Sequence, residues 1–336
     1  MSTLGPYEVS GSYVGDSREL LRALPDGCIQ TCVTSPPYWG LRSYLPAGHD
    51  QKHLEIGLES TPAAYVQTMV EVFREVRRVL ADDGTAWINL GDSYAGSRSG
   101  PQGESGEMAD RAVKARDPMH PRKGTSFYDR PQDSVAGLKP KDLVGIPWMV
   151  AFALRDDGWY LRQDIIWSKP SCLPESVTDR CTKSHEYIFL LSKSATYFYD
   201  HEAVKEPSVS KIRMPSVGKS EAVGDERRDG FNDRWNAAVD AGEVAPSRNK
   251  RSVWTVAATP MHDAHFAVFP PSLIEPCILA GSRVGDVVLD PFFGSGTTGM
   301  VAEKHGRRWL GFDLHPDYAE MQKRRTAQRS LLGLLR

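Results

Sequence analysis

The chain of 336 residues is 40% hydrophobic and 25% charged, with a formal net charge of -2, which is ordinary for a globular protein with one large domain or a domain plus a smaller lobe. No segment is long or apolar enough to cross a membrane, and the N-terminus lacks the basic and apolar regions of a signal peptide, so we expect a cytoplasmic protein without a membrane partner. The five cysteines and nine histidines are scattered, so we expect neither a metal site nor a disulfide framework, and the net charge neither supports nor excludes nucleic acid.

The predicted elements in the first part of the chain alternate between strands and helices, which is typical of a parallel sheet. Residues 28–34 form an apolar and β-branched run that predicts a strand covered on both faces. Pro36 and Pro37 end this strand, because proline permits neither a helix nor ladder pairing there. In chain order, the predictions are a strand at 13–17 that ends in a turn, a helix at 18–24, a strand at 28–34, a helix at 61–80 capped by Thr61, and a strand at 85–90.

Two polar intervals interrupt the pattern in the rest of the chain. The first, 93–141, is too long for a plain connection in a compact domain, so it is either functional or disordered. The second, 202–251, carries many lysines and arginines. The other predicted elements are a helix at 147–156, strands at 159–167 and 186–191, a strand at 284–289, a helix that ends near 305, a strand at 308–312, and a basic helix opened by Pro316.

A glycine-rich turn follows the predicted strand at 284–289. Gly294, Gly296 and Gly299 match G-x-G-x-x-G, and Asp313 stands at the end of the next strand. This is the dinucleotide-binding fingerprint, so an oxidoreductase is one alternative. Asp290 lies before the glycines and argues against that alternative, because its carboxylate would repel a pyrophosphate but suits the cationic methionine end of S-adenosylmethionine.

A second segment, Ser35-Pro36-Pro37-Tyr38, follows the predicted strand at 28–34, at the strand end where ligands bind in such folds. Methylation of an aromatic amino group requires acceptors for the amino protons, so that the nitrogen lone pair can face the methyl donor. A serine hydroxyl and a backbone carbonyl held by two prolines are suitable acceptors, and Tyr38 fits as a stacking platform for a flipped base. The alternative interpretation is a proline-stiffened loop with a buried aromatic side chain.

Together, the two segments resemble the family of amino-methyltransferases that modify cytosine N4 or adenine N6 in DNA. Ser35-Pro-Pro-Tyr38 is similar to the family's catalytic motif, in the serine form more often associated with cytosine N4, and residues 290–298 are similar to its cofactor motif. The catalytic motif comes first, which resembles the beta-type permuted order. Other segments similar to the family are 58–62, 87–92, 167–170, 185–187 and 265–270, the last resembling a helix entrance beside the cofactor.

The resemblance implies a three-layer, Rossmann-like α/β methyltransferase fold, circularly permuted, with a mixed, mostly parallel seven-stranded sheet and a small DNA-recognition lobe. The catalytic domain would comprise residues 1–92, 142–201 and 252–336. Residues 93–141 would form a polar loop insertion and 202–251 a target-recognition region, whose basic side chains contact phosphates.

The resemblance also implies site residues. The implied catalytic residues are Ser35, Pro36, Pro37 and Tyr38. The implied ligands of S-adenosyl-L-methionine are Asp16, Phe269, Asp290, Pro291, Phe292, Gly294, Ser295, Gly296, Thr297, Thr298 and Asp313. In this set the glycine turn cradles the methionine part, Asp313 binds ribose, and Asp16 approaches the adenine or is a plain turn residue.

The function expected from the resemblance is methyl transfer to N4 of a flipped cytosine in double-stranded DNA, with adenine N6 as the alternative. A catalytically silent DNA-binding module with the same fold would belong to a different class. The resemblance further suggests a prokaryotic or phage-encoded protein, a homodimer, and a cognate restriction endonuclease as partner.

Overall fold

The computed structural model of the protein describes residues 2–40, 43–45, 48–95, 137–172, 174–207, 247–258 and 269–333. Most of the two polar intervals, 93–141 and 202–251, lies outside the described residues. The same is true of residues 265–268 in the predicted helix entrance.

The chain divides into two compact units, one formed by Met1–Tyr199 and Ser252–Arg336 and the other by Asp200–Arg251. The strands are β1 (Thr3–Leu4), β2 (Tyr7–Glu8), β3 (Gly11–Val14), β4 (Ile29–Thr34), β5 (Leu80–Leu90), β6 (Tyr160–Ser168), β7 (His185–Ser192), β8 (Glu206–Pro207), β9 (Ser247–Arg248), β10 (Val253–Thr255), β11 (Val287–Asp290) and β12 (Arg308–Asp313). The helices are α1 (Ser17–Arg22), α2 (Pro62–Val79), α3 (Ile146–Asp156), α4 (Pro271–Gly281), α5 (Thr297–Lys304) and α6 (Tyr318–Gly333), with single 3-10 turns at Asp50–Leu54 and Glu202–Val204.

The main sheet of the larger unit has the strand order β10-β6-β7-β5-β4-β11-β12-β3. Only β7 runs antiparallel to its neighbours, β5 and β6, while the other pairs in this sheet are parallel. The predicted mixed, mostly parallel sheet is therefore confirmed, with eight strands in place of the seven expected. All the parallel strands end at one edge of the sheet, and β7 begins there.

Helices cover both faces of the sheet because the chain crosses over in two opposite directions. The connection from β4 through α2 leads to β5 on one side, whereas the connection from β11 through α5 leads to β12 on the other. Right-handed crossovers in opposite directions place their helices on opposite faces. The helices α1, α2 and α3 contact one another in sequence, as do α4, α5 and α6, so the unit has three layers.

Helix α2 shows how the sequence pattern produces the core. The Thr61 hydroxyl accepts a hydrogen bond from the Ala64 amide at 3.1 Å, and Pro62 occupies the first turn, as predicted. Its apolar stripe is buried, and Tyr65 and Phe73 are fully enclosed. Every residue of β4 is buried as well, which agrees with a strand covered on both faces.

Several elements differ from the sequence predictions, among them β11, which begins at Val287 rather than 284. The eighth strand, β10, has only three residues, too few for a periodic pattern. Helix α4 has no clear periodic pattern, since it is apolar on most sides and contains Pro276, and only the resemblance at 265–270 indicated that a helix begins there. Strand β5 begins at Leu80 rather than 85, because Leu80 pairs with Ile29 before a register shift. Among the helices that the structure describes, none is long and apolar enough to span a membrane.

Two small antiparallel sheets complete the described structure. Strands β1 and β2 form the first, and Tyr7 packs its ring 5.3 Å from that of Phe312 in the larger unit. Strands β8 and β9 form the second, within the smaller unit. There Glu206 accepts hydrogen bonds from Arg248 at 2.8 Å and Arg251 at 2.7 Å.

Candidate active site

The two motif segments meet at the edge of the sheet where β4, β11 and β12 end. The Thr34 hydroxyl, at the end of β4, donates a 2.6 Å hydrogen bond to the Asp290 carboxylate at the end of β11. The Asp313 carboxylate, at the end of β12, accepts a 2.6 Å hydrogen bond from the Gly294 amide. Hydrogen bonds therefore connect the strand that leads into Ser35 with the glycine turn.

Asp290 is a buried carboxylate whose hydrogen-bond donors are all neutral. Its Oδ1 accepts from the Thr34 hydroxyl and from the Phe292 amide at 3.0 Å, and its Oδ2 accepts from the Thr298 hydroxyl at 2.7 Å. Burial raises the pKa of Asp290 to about 6, although the three hydrogen bonds oppose that shift. A buried carboxylate with neutral donors only is a favourable neighbour for a cationic ligand group.

The glycines of the turn serve two structural purposes. Gly294 (φ +50°) and Gly296 (φ +80°) adopt left-handed conformations that side-chain-bearing residues rarely adopt. Gly299 lies inside α5, where an added Cβ would approach the Phe293 ring to 2.7 Å and Trp309 to 2.9 Å. The rings of Phe293 and Trp309 stack with a centroid separation of 4.9 Å, so close packing holds the base of the turn.

Helix α6 holds the turn from outside. Gln322 donates to the Gly294 carbonyl at 2.8 Å, and Arg325 donates to the Ser295 carbonyl at 2.8 Å and to the Ser295 hydroxyl. The Ser295 hydroxyl also lies 3.2 Å from that of Thr297. Sequence reasoning missed Gln322 and Arg325, because both follow the motif on a helix whose packing it does not determine.

Asp313 is held by two backbone amides. Gly294 N–H donates to Oδ2 and His315 N–H donates to Oδ1 at 2.8 Å. Burial raises the pKa of Asp313 to about 7, and the nearby Asp290 carboxylate adds to the shift. The Asp313 carboxylate therefore links the end of β12 both to the glycine turn and to the segment that follows the strand.

Asp16 lies at the end of β3, beside the turn. It is the N-cap of α1, accepts from the Arg18 amide at 2.8 Å, and forms an ion pair with the Arg18 guanidinium at 2.5 Å. Ser17 donates a 2.5 Å hydrogen bond to the Pro291 carbonyl, which joins this segment to the turn. Phe269, by contrast, is half-buried before α4 and has no polar side-chain atom with which to join this hydrogen-bonded set.

The Ser35-Pro36-Pro37-Tyr38 loop is held by its neighbours. Tyr65 of α2 donates to the Pro37 carbonyl at 2.9 Å, and Pro36 is buried. The Ser35 hydroxyl has two long contacts, both with Asn89: it donates to the carbonyl at 3.4 Å and accepts from the side-chain nitrogen at 3.5 Å. The serine hydroxyl is therefore weakly engaged, while the prolines beside it are fixed.

The Tyr38 hydroxyl belongs to a polar network. It donates to Glu186 Oε2 at 2.6 Å, and Asn89 Nδ2 donates to the same oxygen at 2.8 Å. Lys169 donates to the other oxygen of Glu186. Burial raises the pKa of Tyr38 well above its usual range, and the charge of Glu186 adds to the shift. Sequence reasoning did not include Glu186, Asn89 or Lys169 in the site.

The fold and the two connected segments define an α/β methyltransferase of the class that acts on amino groups. The chain belongs to the N6/N4 DNA methylase family, whose profile matches residues 29–324. It is therefore a DNA methyltransferase. The described residues contain no cluster of histidine, cysteine, aspartate or glutamate suited to a metal ion, and the cysteines among them form no disulfide.

Three similar proteins illustrate the relationship. The type II methyltransferase M.Cfr9I of Citrobacter freundii is 44% identical over 318 residues, which cover 94% of this chain and 88% of that protein. The solved structure of PvuII DNA methyltransferase (cytosine-N4-specific) superimposes with a TM-score of 0.56 and 22% identity, covering 96% of this chain and 89% of that one. TTHA0409 of Thermus thermophilus, complexed with S-adenosyl-L-methionine, has a TM-score of 0.53 and 24% identity, covering 95% and 93%. The last two structures show that this chain shares their fold.

Proposed function

We propose that the protein transfers a methyl group from S-adenosylmethionine to the exocyclic N4 of a cytosine flipped out of duplex DNA. One observation carries this proposal: the hydrogen bond between Thr34 and Asp290 places the Ser35 loop directly beside the glycine turn. A methyl donor on the turn and an amino group on the loop would then be neighbours. Methylation of adenine N6 by the same mechanism is the alternative.

The residues of the turn fit the cofactor. Asp290 offers a buried negative charge that neutral donors leave uncompensated, which suits the cationic methionine part. Gly294 and Gly296 let the backbone approach a ligand closely. Asp313, which holds the turn, would bind the ribose, and Asp16, held by Arg18, would face the adenine. TTHA0409, which shares the fold, is complexed with the same cofactor.

The remaining predicted cofactor residues surround these positions. They are Pro291, Phe292, Ser295, Thr297 and Thr298 in the turn and Phe269 before α4. Thr298 acts through Asp290, to which it donates at 2.7 Å. Ser295 and Thr297 are buried together, so their backbone amides are the groups that we assign to ligand binding.

The loop positions the acceptor. When bound, S-adenosylmethionine supplies a methyl group from its sulfonium centre and leaves as S-adenosylhomocysteine. The Ser35 hydroxyl and the Pro36 carbonyl accept hydrogen bonds from the two amino N–H groups, which makes the nitrogen more tetrahedral and turns its lone pair toward the methyl group. The Tyr38 ring supports the flipped base. The nitrogen forms its bond to the methyl carbon as the sulfonium carbon–sulfur bond breaks, and one amino proton passes to solvent water, so no covalent enzyme intermediate and no cysteine is required.

Two features favour cytosine over adenine. The loop begins with serine, the form that the family resemblance associates more often with cytosine N4. In addition, PvuII DNA methyltransferase, whose fold this chain shares, is cytosine-N4-specific. Chemical identification of the methylated base distinguishes cytosine N4 from adenine N6.

The assignment of the target-recognition region rests on the basic residues of 202–251. Within the described part of the smaller unit, Arg248 and Arg251 share the carboxylate of Glu206. Lys205 pairs with Glu202 in the same way, so we assign phosphate contacts chiefly to the basic residues of this region outside the described residues. A homodimer and a partner restriction endonuclease stay predictions from the resemblance.

Nucleoside mass spectrometry tests the proposed function. Duplex DNA of mixed sequence is incubated with the full chain and S-adenosylmethionine labelled on its methyl group, then digested to nucleosides. Labelled N4-methylcytosine is the expected product, and the Asp290→Asn variant is the control with weakened cofactor binding. Labelled N6-methyladenine would move the target to the alternative base, and the absence of any labelled base from protein that binds the cofactor would contradict the proposal.

A further inference from the structure

Strand β7 brings a carboxylate to the active-site edge. Because β7 is antiparallel, it begins where the parallel strands end, and its register pairs Tyr187 with Leu90. Glu186 is therefore level with Gly91, on the continuation of β5. An added Cβ at Gly91 would lie 2.5 Å from the Tyr38 ring, so this ring occupies the space above the glycine. The Tyr38 hydroxyl thereby reaches Glu186.

Three segments donate hydrogen bonds to this one carboxylate. Tyr38, from the loop after β4, donates at 2.6 Å, and Asn89, from β5, donates at 2.8 Å to the same oxygen. Lys169, from the end of β6, donates to the other oxygen and lies 4.3 Å from the centroid of the Trp167 ring. The side chain of Glu186 is only 16% exposed, so solvent screens these interactions weakly.

The direction of these hydrogen bonds determines how two neighbours of Ser35 are oriented. Glu186 only accepts, so the Tyr38 hydroxyl must donate to it, and Asn89 must present its amide nitrogen. The Asn89 nitrogen is 3.5 Å from the Ser35 hydroxyl. The Asn89 Oδ1 atom is buried and has no hydrogen-bond partner among the described residues. The carboxylate thus selects one of the two possible orientations of this amide.

We propose that Glu186 is a positioning residue for methyl transfer, which fixes the Tyr38 ring and the Asn89 amide beside Ser35 while Lys169 holds the carboxylate. This inference rests on the proposed function. Glu186 acts through its neighbours and does not touch the target base. Its effect is therefore on the rate of transfer from the bound complex, since misplacing a reacting group by about 1 Å can cost about a hundredfold in rate.

Glu186→Gln tests the inference, because the side chain keeps its shape but loses one acceptor. If the amide nitrogen of the introduced glutamine faced Lys169, its N–H groups would oppose the lysine ammonium. If the amide were reversed, its N–H groups would oppose the donors of Tyr38 and Asn89. We expect single-turnover methyl transfer to fall about 10- to 100-fold, with the dissociation constant of S-adenosylmethionine unchanged within about twofold.

The double variant Glu186→Gln with Lys169→Met provides a rescue that a merely structural role does not predict. Removing the lysine lets the amide carbonyl face Tyr38 and Asn89, so we expect the transfer rate to recover at least about fivefold over that of the single variant. The matched control is Glu275→Gln, which changes a carboxylate held by a lysine and a histidine away from the site. The control should transfer methyl groups at the natural rate.

The substrate is a duplex that carries the sequence found to be methylated by the natural chain, and thermal melting confirms that each variant is folded. A natural rate for Glu186→Gln, or equal losses in rate and cofactor affinity, would overturn the positioning role alone. A double variant no faster than the single one would also overturn it. If the natural chain labels no DNA base, the proposed function fails, and this inference fails with it.

Discussion

Replacing Thr34 with valine removes one of the three hydrogen bonds to Asp290 and changes the shape of the side chain little. The lost bond, 2.6 Å long, is made to a buried carboxylate whose pKa is about 6. A hydrogen bond to a charged group stabilises it by about 1.5–3 kcal/mol, which corresponds to about 1–2 pKa units. The pKa of Asp290 in the variant should therefore rise to roughly 7–8.

The consequence for cofactor binding depends on pH. If ionised Asp290 binds the cationic methionine part, the ionised fraction at about pH 7 falls from about 90% to between about 50% and 10%. The dissociation constant of S-adenosylmethionine should then rise about two- to tenfold near pH 7 and approach that of the natural chain near pH 9.

Isothermal titration calorimetry with S-adenosylmethionine from about pH 5 to about pH 9 measures this shift. Thr31→Val is the matched control. Thr31 is also a buried threonine of β4, but its hydroxyl donates to the Thr85 carbonyl at 3.2 Å and not to Asp290. Asp313, whose pKa is about 7 and is raised in part by Asp290, titrates in the same range, so the shift is read as the difference between Thr34→Val and both the natural chain and Thr31→Val. A pH midpoint equal to that of the natural chain, or a loss of affinity that is constant with pH, would show that the Thr34 hydrogen bond does not set the ionisation of Asp290.

Three further predictions follow from the same site. Gly311→Ala should lower the free energy of unfolding by about 1–3 kcal/mol in a denaturant titration, because the added Cβ would meet the Phe293 ring, and an unchanged midpoint would contradict that packing. Folding raises the pKa of Asp290 from 3.8 to about 6, so the folded state holds the proton more tightly, and this residue makes the ligand-free protein less stable as pH rises through that window. Between about pH 4 and about pH 7, the unfolding free energy of Asp290→Asn should therefore gain about 2–3 kcal/mol relative to the natural chain, whereas a constant difference would argue against the raised pKa. Alkylation of the two exposed cysteines with iodoacetamide should leave the methyl-transfer rate unchanged, because the proposed mechanism uses no thiol; loss of transfer with cofactor binding intact would argue for a thiol at the site.

The motif segments were predictable because their chemistry depends on adjacent residues. Two prolines after a buried strand and glycines after an acidic strand end each require a particular backbone, so Ser35 and Asp290 could be assigned to strand ends without tertiary information. Their meeting followed from the parallel sheet, since the ends of parallel strands share one edge.

Other parts of the site depend on how distant elements pack. Gln322 and Arg325 hold the glycine turn only because α6 lies against it, and no local pattern indicates that contact. Glu186 reaches the active-site edge because β7 is antiparallel, and an apolar run in the sequence does not reveal its direction. If the antiparallel direction of β7 had been predicted, Glu186 at its start would have been assigned to the same edge of the sheet as Ser35.

The central claim is that Ser35 acts on the amino group while the turn at Asp290 holds the cofactor. Ser35→Ala tests it most directly, by measuring the single-turnover rate of methyl transfer and the dissociation constant of S-adenosylmethionine on the same preparation. We expect a rate lower by about 10- to 1,000-fold, as for the loss of one hydrogen bond in a transition state, with the dissociation constant nearly unchanged. Equal losses in rate and affinity, or a natural rate, would exclude this role for Ser35.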